Sequence, residues 1–130
     1  MLDTNILLLI ADGFPVLEEI EEQVSFKPEY IVLAQTLKEL ETIGGREGGL
    51  MKKKCELAIK IARERCKIVD HKPDEFRDAD DAILDYATSY NAAIATNDRE
   101  LRRRAREKGL SEIYLREESQ RIVVEGLIEY

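Results

Sequence analysis

Short apolar runs alternate with helix-length amphipathic segments along this 130-residue chain, and that alternation restricts its folds more than any other feature. A strand reached by a crossover of a dozen or more residues pairs in parallel with its predecessor, and a parallel sheet needs helices on both faces. The expected strands are Met1–Leu2, Tyr30–Leu33, Lys67–Val69, Ala92–Ala95 and Glu112–Leu115. The expected helices are Thr4–Ala11, Pro15–Gln23, Ala34–Ile43, Leu50–Cys66, Asp80–Tyr90 and Arg99–Lys108. Arg121–Val124 is apolar enough for an additional edge strand, without an assigned neighbour. Only Met1 and Leu2 precede Asp3, so the first strand is thin. The passage Gly44-Gly45-Arg46-Glu47-Gly48-Gly49 reads as a mobile connection between helices. It lacks the Gly-Lys-Ser/Thr ending of a phosphate-cradling loop.

The length suits one domain, residues 1–130, with a real core. At 44% hydrophobic and 36% charged residues the composition is globular. No apolar run approaches the roughly 20 residues that cross a bilayer, and no secretory signal opens the chain, so a cytoplasmic protein is expected. Cys55 and Cys66 fall about 16 Å apart along one expected helix, too far to bridge within it. They read as buried thiols, and no other cysteine or histidine stands at zinc-ligand spacing. The net charge of −7 opposes a nucleic-acid partner unless the charges are segregated.

Ligands of an open α/β sheet bind beyond the carboxyl ends of its strands, so acids at strand ends are the ones to weigh. Asp3 follows the first strand in Asp3-Thr4-Asn5, and Asp98 follows the fourth in Ala95-Thr96-Asn97-Asp98; each opens a helix. Asp80 and Asp81 begin the helix that feeds the fourth strand. Each acid taken alone is explained as a helix cap, because carboxylates accept unpaired first-turn amides and suit the positive helix end. At about 100° per residue, Asp80 falls within the arc of Ile83, Leu84 and Ala87, and Asp81 at its edge. Asp80 is thus the better cap and Asp81 the better ligand at the edge of a cleft. Glu39 and Glu41 flank the apolar face of their helix, and periodicity does not choose between them. Carboxylates gathered together need a counter-charge. All-oxygen ligation suits magnesium or manganese, whose natural reaction beside phosphate is phosphodiester hydrolysis.

The helix after Asp98 carries Arg99, Arg102, Arg103 and Arg106 at three- and four-residue steps, a basic stripe on one face of an acidic protein. A solvated face is the plainer reading. Arginines early in a helix oppose its dipole, however, and guanidiniums next to a metal site would hold a phosphate backbone.

Taken together, Leu2-Asp3-Thr4-Asn5-Ile6-Leu7-Leu8, Leu37-Lys38-Glu39-Leu40, Ala79-Asp80-Asp81-Ala82-Ile83-Leu84 and Ala95-Thr96-Asn97-Asp98-Arg99-Glu100-Leu101 resemble the PIN-domain nucleases in order and spacing. The first and last motifs are fairly specific; that around Glu39 is generic. The resemblance implies a three-layer α/β/α fold with a central parallel sheet. It implies that Asp3, Glu39, Asp81 and Asp98 bind magnesium or manganese and catalyse cleavage of single-stranded RNA. Thr4, Asn5 and Thr96 would be supporting polar residues, and Asp80 and Asn97 stand in the same motifs. The Ala79-Asp80-Asp81 start and the arginine-rich helix look most like the PIN proteins that process small-subunit ribosomal RNA. Toxin ribonucleases of toxin–antitoxin pairs are the other common branch.

Hydrolysis by water predicts products bearing a 5′-phosphate. The competing reading is a module that binds RNA or an assembly partner without turnover. A phosphoacceptor domain is disfavoured, since Asp3 is followed by Thr4 and Leu115 by Arg116 where that class wants a second acid and a lysine. His71, in a polar loop, reads as a solvated residue, and Tyr86 and Tyr90 as a packing edge. The thin first strand and short core are compatible with a homodimer.

Overall fold

The computed structural model describes residues 1–71 and 79–126. Its elements run α1 (Thr4–Ala11), α2 (Val16–Gln23), β1 (Ile31–Leu33), α3 (Ala34–Glu47), α4 (Gly49–Arg65), β2 (Lys67–Val69), α5 (Ala79–Tyr90), β3 (Ile94–Ala95), α6 (Arg99–Glu107), β4 (Glu112–Arg116) and β5 (Arg121–Glu125). β1 lies parallel to β2 with Val32 opposite Ile68, and β3 parallel to β4 with Ala95 opposite Ile113. The two residues before Asp3 join these halves. Leu2 N–H donates to the Ile31 carbonyl (2.9 Å), Ala95 N–H to the Met1 carbonyl (2.8 Å) and Asp3 N–H to the Ala95 carbonyl (3.0 Å). The order across the sheet is therefore β2, β1, Met1–Leu2, β3, β4, β5.

Successive strand side chains point to opposite faces, and the core divides accordingly. Val32, Ala95 and Ile113 face α1 to α4, where Ile6, Leu7, Leu17, Leu40 and Ala58 are buried. Leu33 and Ile94 face α5 and α6, against Ile83, Leu84, Leu101 and Ala105. Three layers, α/β/α, result. Each fully buried leucine or isoleucine contributes about 1.5–3 kcal/mol relative to exposure, which offsets the short strands. No helix among the described residues is long and apolar enough to cross a membrane.

Arg121–Glu125 runs antiparallel to β4 at the edge, with Tyr114 opposite Val123, so the sheet is parallel except there. Buried Glu19 on α2 fixes this strand by accepting from Ile122 N–H (3.0 Å) and Arg121 Nε (2.9 Å). His71 is half-buried rather than solvated: its Nε2 lies 2.8 Å from Asp85 Oδ2, and its ring meets Tyr86 edge-on at 5.3 Å. Tyr86 in turn packs on Tyr90, and Cys55 and Cys66 are free thiols.

The glycine passage departs from the expected mobile connection. α3 continues to Glu47 and α4 starts at Gly49, so the two helices meet at a single residue. Gly48 makes the turn at φ +62°, a left-handed conformation that glycine adopts without a steric penalty. Gly44 is buried where the helices cross; a Cβ there would stand 3.3 Å from Cys55 Cβ. Local propensity reads glycines as breakers, and close helix approach overrides it. Gly45, one position on, is exposed with nothing within 4 Å of its virtual Cβ. Urea unfolding should therefore separate neighbours: Gly45→Ala should stabilise by about 0.5–1 kcal/mol, and Gly44→Val should destabilise by about 1–3 kcal/mol.

Candidate active site

Asp3 has a fixed position because its own N–H completes the ladder to Ala95 and its carboxylate caps α1, with Oδ1 accepting from Thr4 N–H at 2.8 Å. The side chain is buried at 7% exposure. Its second oxygen accepts the Thr96 hydroxyl proton (2.7 Å) and a longer contact from Asn5 Nδ2 (3.4 Å). Thr96 Oγ1 in turn accepts from Asp98 N–H (3.1 Å), and Asp98 Oδ1 caps α6 by accepting from Leu101 N–H (3.0 Å). Asn5 closes the circuit, its Oδ1 accepting from Asn97 N–H (3.0 Å). The Asn97 side chain reaches β4, accepting from Leu115 N–H at 2.9 Å. One network thus ties the start of α1 to the β3–α6 junction and the next strand. Capping and clustering are the same interactions.

The electrostatics follow from burial. Desolvation raises the Asp3 carboxyl above its ordinary range; the Thr96 and Thr4 hydrogen bonds oppose this, and the Asp98 charge adds to it. Glu39, on α3, is raised first by desolvation and then by the charge of Asp3, although its side chain reaches the surface. The Thr4 hydroxyl is close enough to favour ionised Glu39 yet makes no hydrogen bond among the described residues, although it is buried. Asp3 therefore sits between two other negative groups. A divalent cation would relieve that repulsion, and the donors on offer, namely the Asp3, Glu39 and Asp98 carboxylates and the Thr4 hydroxyl, are all oxygen. This set fits a hard ion. Among the described residues no three acid, cysteine or histidine side chains converge tightly enough to enclose an ion.

Asp81 faces the α5/α6 cleft in its described contacts. Its Oδ1 accepts from Arg104 Nη2 at 2.7 Å, and it lines a cleft of about 240 Å³ between α5 and α6 with Asp85, Thr88 and Lys108. Asp81, Asp85 and Thr88 share one helical face, so the residue ranked as the cleft-edge ligand opens onto an α5/α6 groove. Asp80, on the same turn, is only partly exposed.

The arginine stripe is not an open basic face. Arg102 Nε and Arg106 Nη1 both donate to Oε1 of buried Glu112, at 3.1 and 2.9 Å. Arg103 is held between Glu100 and Glu107 on its own helix. Of the four stripe residues, Arg99 alone has no ion pair among the described residues. The Arg103 pairs were legible as three- and four-residue steps; Glu112 was not, because its meeting with Arg102 and Arg106 is set by how α6 packs on β4. Residues that sequence reading missed are Glu112, Tyr114, whose ring lies 3.5 Å from the Arg102 guanidinium, and the bridging role of Asn97.

Comparison with known proteins agrees with this fold. The model of the PIN-like domain matches residues 1–118. Ribonuclease VapC9 of Archaeoglobus fulgidus is 27% identical over 128 residues, covering 98% of this chain and 89% of that protein. The structure of the PIN domain endonuclease Utp24 superposes with a TM-score of 0.75 at 23% identity, over 98% of this chain and 91% of that one. At that identity the likeness concerns the fold.

Thr96 is the hinge of the network, donating to Asp3 and accepting from Asp98 N–H. Thr96→Val keeps the shape and removes both bonds. Denaturant unfolding should show a loss of about 1–3 kcal/mol for Thr96→Val, with Thr96→Ser recovering most of it.

Proposed function

The chain belongs to the family of PIN-like domains, and from that premise we propose that it is a divalent-metal-dependent endoribonuclease that hydrolyses single-stranded RNA in the cytoplasm. The observation that carries this reading is the circuit of Asp3, Asn5, Thr96 and Asp98, which brings two carboxylates far apart in sequence together at the carboxyl ends of Met1–Leu2 and β3. Asp3, Asp98 and Glu39 would hold magnesium or manganese, with Thr4 beside them; Asp81 joins the set on its place at a helix start and on family resemblance.

When bound, such an ion supplies Lewis-acid polarisation of a phosphodiester oxygen and lowers the pKa of water. The chain supplies rigidity. Thr96 and Thr4 fix both oxygens of Asp3, and Asn5 and Asn97 fix the loop that carries Asp98. His71, the chain's one histidine, pairs with Asp85 and meets Tyr86 edge-on. Attack by water gives products with a 5′-phosphate.

The resemblance of the Ala79-Asp80-Asp81 helix start and the arginine-rich α6 to the PIN proteins that process small-subunit ribosomal RNA favours a ribosomal RNA precursor as substrate. The likeness to a VapC ribonuclease favours the toxin branch of the family as the second reading. The site chemistry is common to both. Purified protein with labelled single-stranded RNA and manganese should yield internal cleavage with 5′-phosphate ends. Asp3→Asn and Asp98→Asn should each slow it by more than about 100-fold, beyond the loss typical of residues that only support a ligand. Equal cleavage by wild type and variants would assign the activity to a contaminant. Binding without products under any divalent metal would make the chain a non-catalytic RNA-binding module.

A further inference from the structure

Beside Asn97 a groove of about 480 Å³ opens between Leu9, the first turns of α6 and the end of β4. Its volume is that of a small-ligand site. Two cations edge it from different elements, Arg99 from α6 and Arg116 from the end of β4, both exposed and without an ion pair among the described residues. Between them Arg102 lies over the Tyr114 ring, 3.5 Å from its centroid, and Glu112 holds that guanidinium in place. The groove thus has a fixed cation–aromatic floor and two free cationic rims. Its wall is rigid as well, because Asn97 is held by Asn5 on its N–H and by Leu115 on its side chain.

Asn97 is also what joins the groove to the acidic centre, since Thr96 and Asp98 flank it in sequence and both belong to the Asp3 network. A polyanion approaching those carboxylates is repelled unless neighbouring cations hold it. Arg103 and Arg106 are committed to glutamates. Glu117 and Glu118 also line the groove and disfavour phosphate beside themselves, which leaves the two arginines as its phosphate contacts.

We propose that this groove binds the phosphodiester backbone of single-stranded RNA next to the bond that is cut, with Arg99 and Arg116 contacting phosphates and the Arg102–Tyr114 stack supporting the adjoining sugar or base. The assignment rests on the nuclease reading above and sharpens it by replacing the α6 stripe with a groove shared between α6 and β4. Arg116 is the residue that distinguishes the two, since it lies outside α6 altogether.

The experiment measures binding separately from cleavage. Anisotropy of a fluorescein-labelled single-stranded RNA of about 12 nucleotides, in excess EDTA, is compared for wild type, Arg99→Ala, Arg116→Ala and a Lys52→Ala/Lys53→Ala control on exposed α4 positions. Each arginine variant should bind about 3- to 10-fold more weakly and lower the salt slope by about one, as expected for a lost phosphate contact. The control, which removes more charge, should change binding less than about 2-fold. Unchanged binding by both arginine variants, or equal weakening by the control, overturns the proposal. Weakened binding by the arginine variants alongside a wild type that never cleaves RNA would retain the groove and reject the nuclease reading. Cleavage by wild type with unaltered binding in both variants would do the reverse.

Discussion

The joining of the sheet, and with it the place of the first acid, is set by the wedging of Met1–Leu2 between β1 and β3. Without it the sheet is two separate ladders, β1 with β2 and β3 with β4 and β5. Leu2 bonds to Ile31 on one side, while Met1 and Asp3 bond to Ala95 on the other. The net contribution of each such bond is about 1 kcal/mol, so their strength matters less than their position. Asp3 is bonded in that ladder through its own N–H, which fixes its backbone beside β3, and Thr4 N–H and the Thr96 hydroxyl then hold its carboxylate. The location of the first acid is thus a property of sheet assembly.

That placement has an electrostatic cost, expressed in the raised carboxyls of Asp3 and Glu39. The neighbouring residues lessen the cost without removing it. Thr96, Thr4 and Asn5 surround Asp3 with donors, and the helix amides do the same for Asp98. Two helix caps joined through a hydroxyl and an amide resist separation, yet they leave negative charge concentrated at one end of the sheet. Such an arrangement is unfavourable for a chain with no ligand and useful for one that holds a cation.

The sequence made the layers and the principal acids legible for physical reasons that are easy to name. The runs around Val32 and Ile94 are short, apolar and separated by helix-length segments, so a covered parallel sheet followed from chain geometry. Asp3 and Asp98 stand where a strand stops and a helix begins, and a cap preference and a site preference coincide there. What was not legible depends on side chains meeting across elements. The arginine stripe of α6 looked like an open basic face because Glu112, which binds Arg102 and Arg106, becomes their neighbour only when β4 packs on α6. The pairing of Asp81 with Arg104 was likewise not legible, because a helix wheel carries no knowledge of a partner across the α5/α6 cleft. The glycines of residues 44–49 were read as a mobile connection because propensity is local, whereas Gly44 is required by the approach of Cys55 from another helix.

The central claim is that Asp3, Glu39 and Asp98 form a single cation-binding centre organised by Thr96 and Asn5. It is tested most directly by the anomalous diffraction of a crystal soaked in manganese. The account predicts a peak within direct oxygen-ligand distance of the Asp3 and Asp98 carboxylates, with Glu39 ligating the ion or a water bound to it. A peak between Asp81 and the α5/α6 cleft with none beside Asp3, or no peak under conditions that support RNA cleavage, would contradict it.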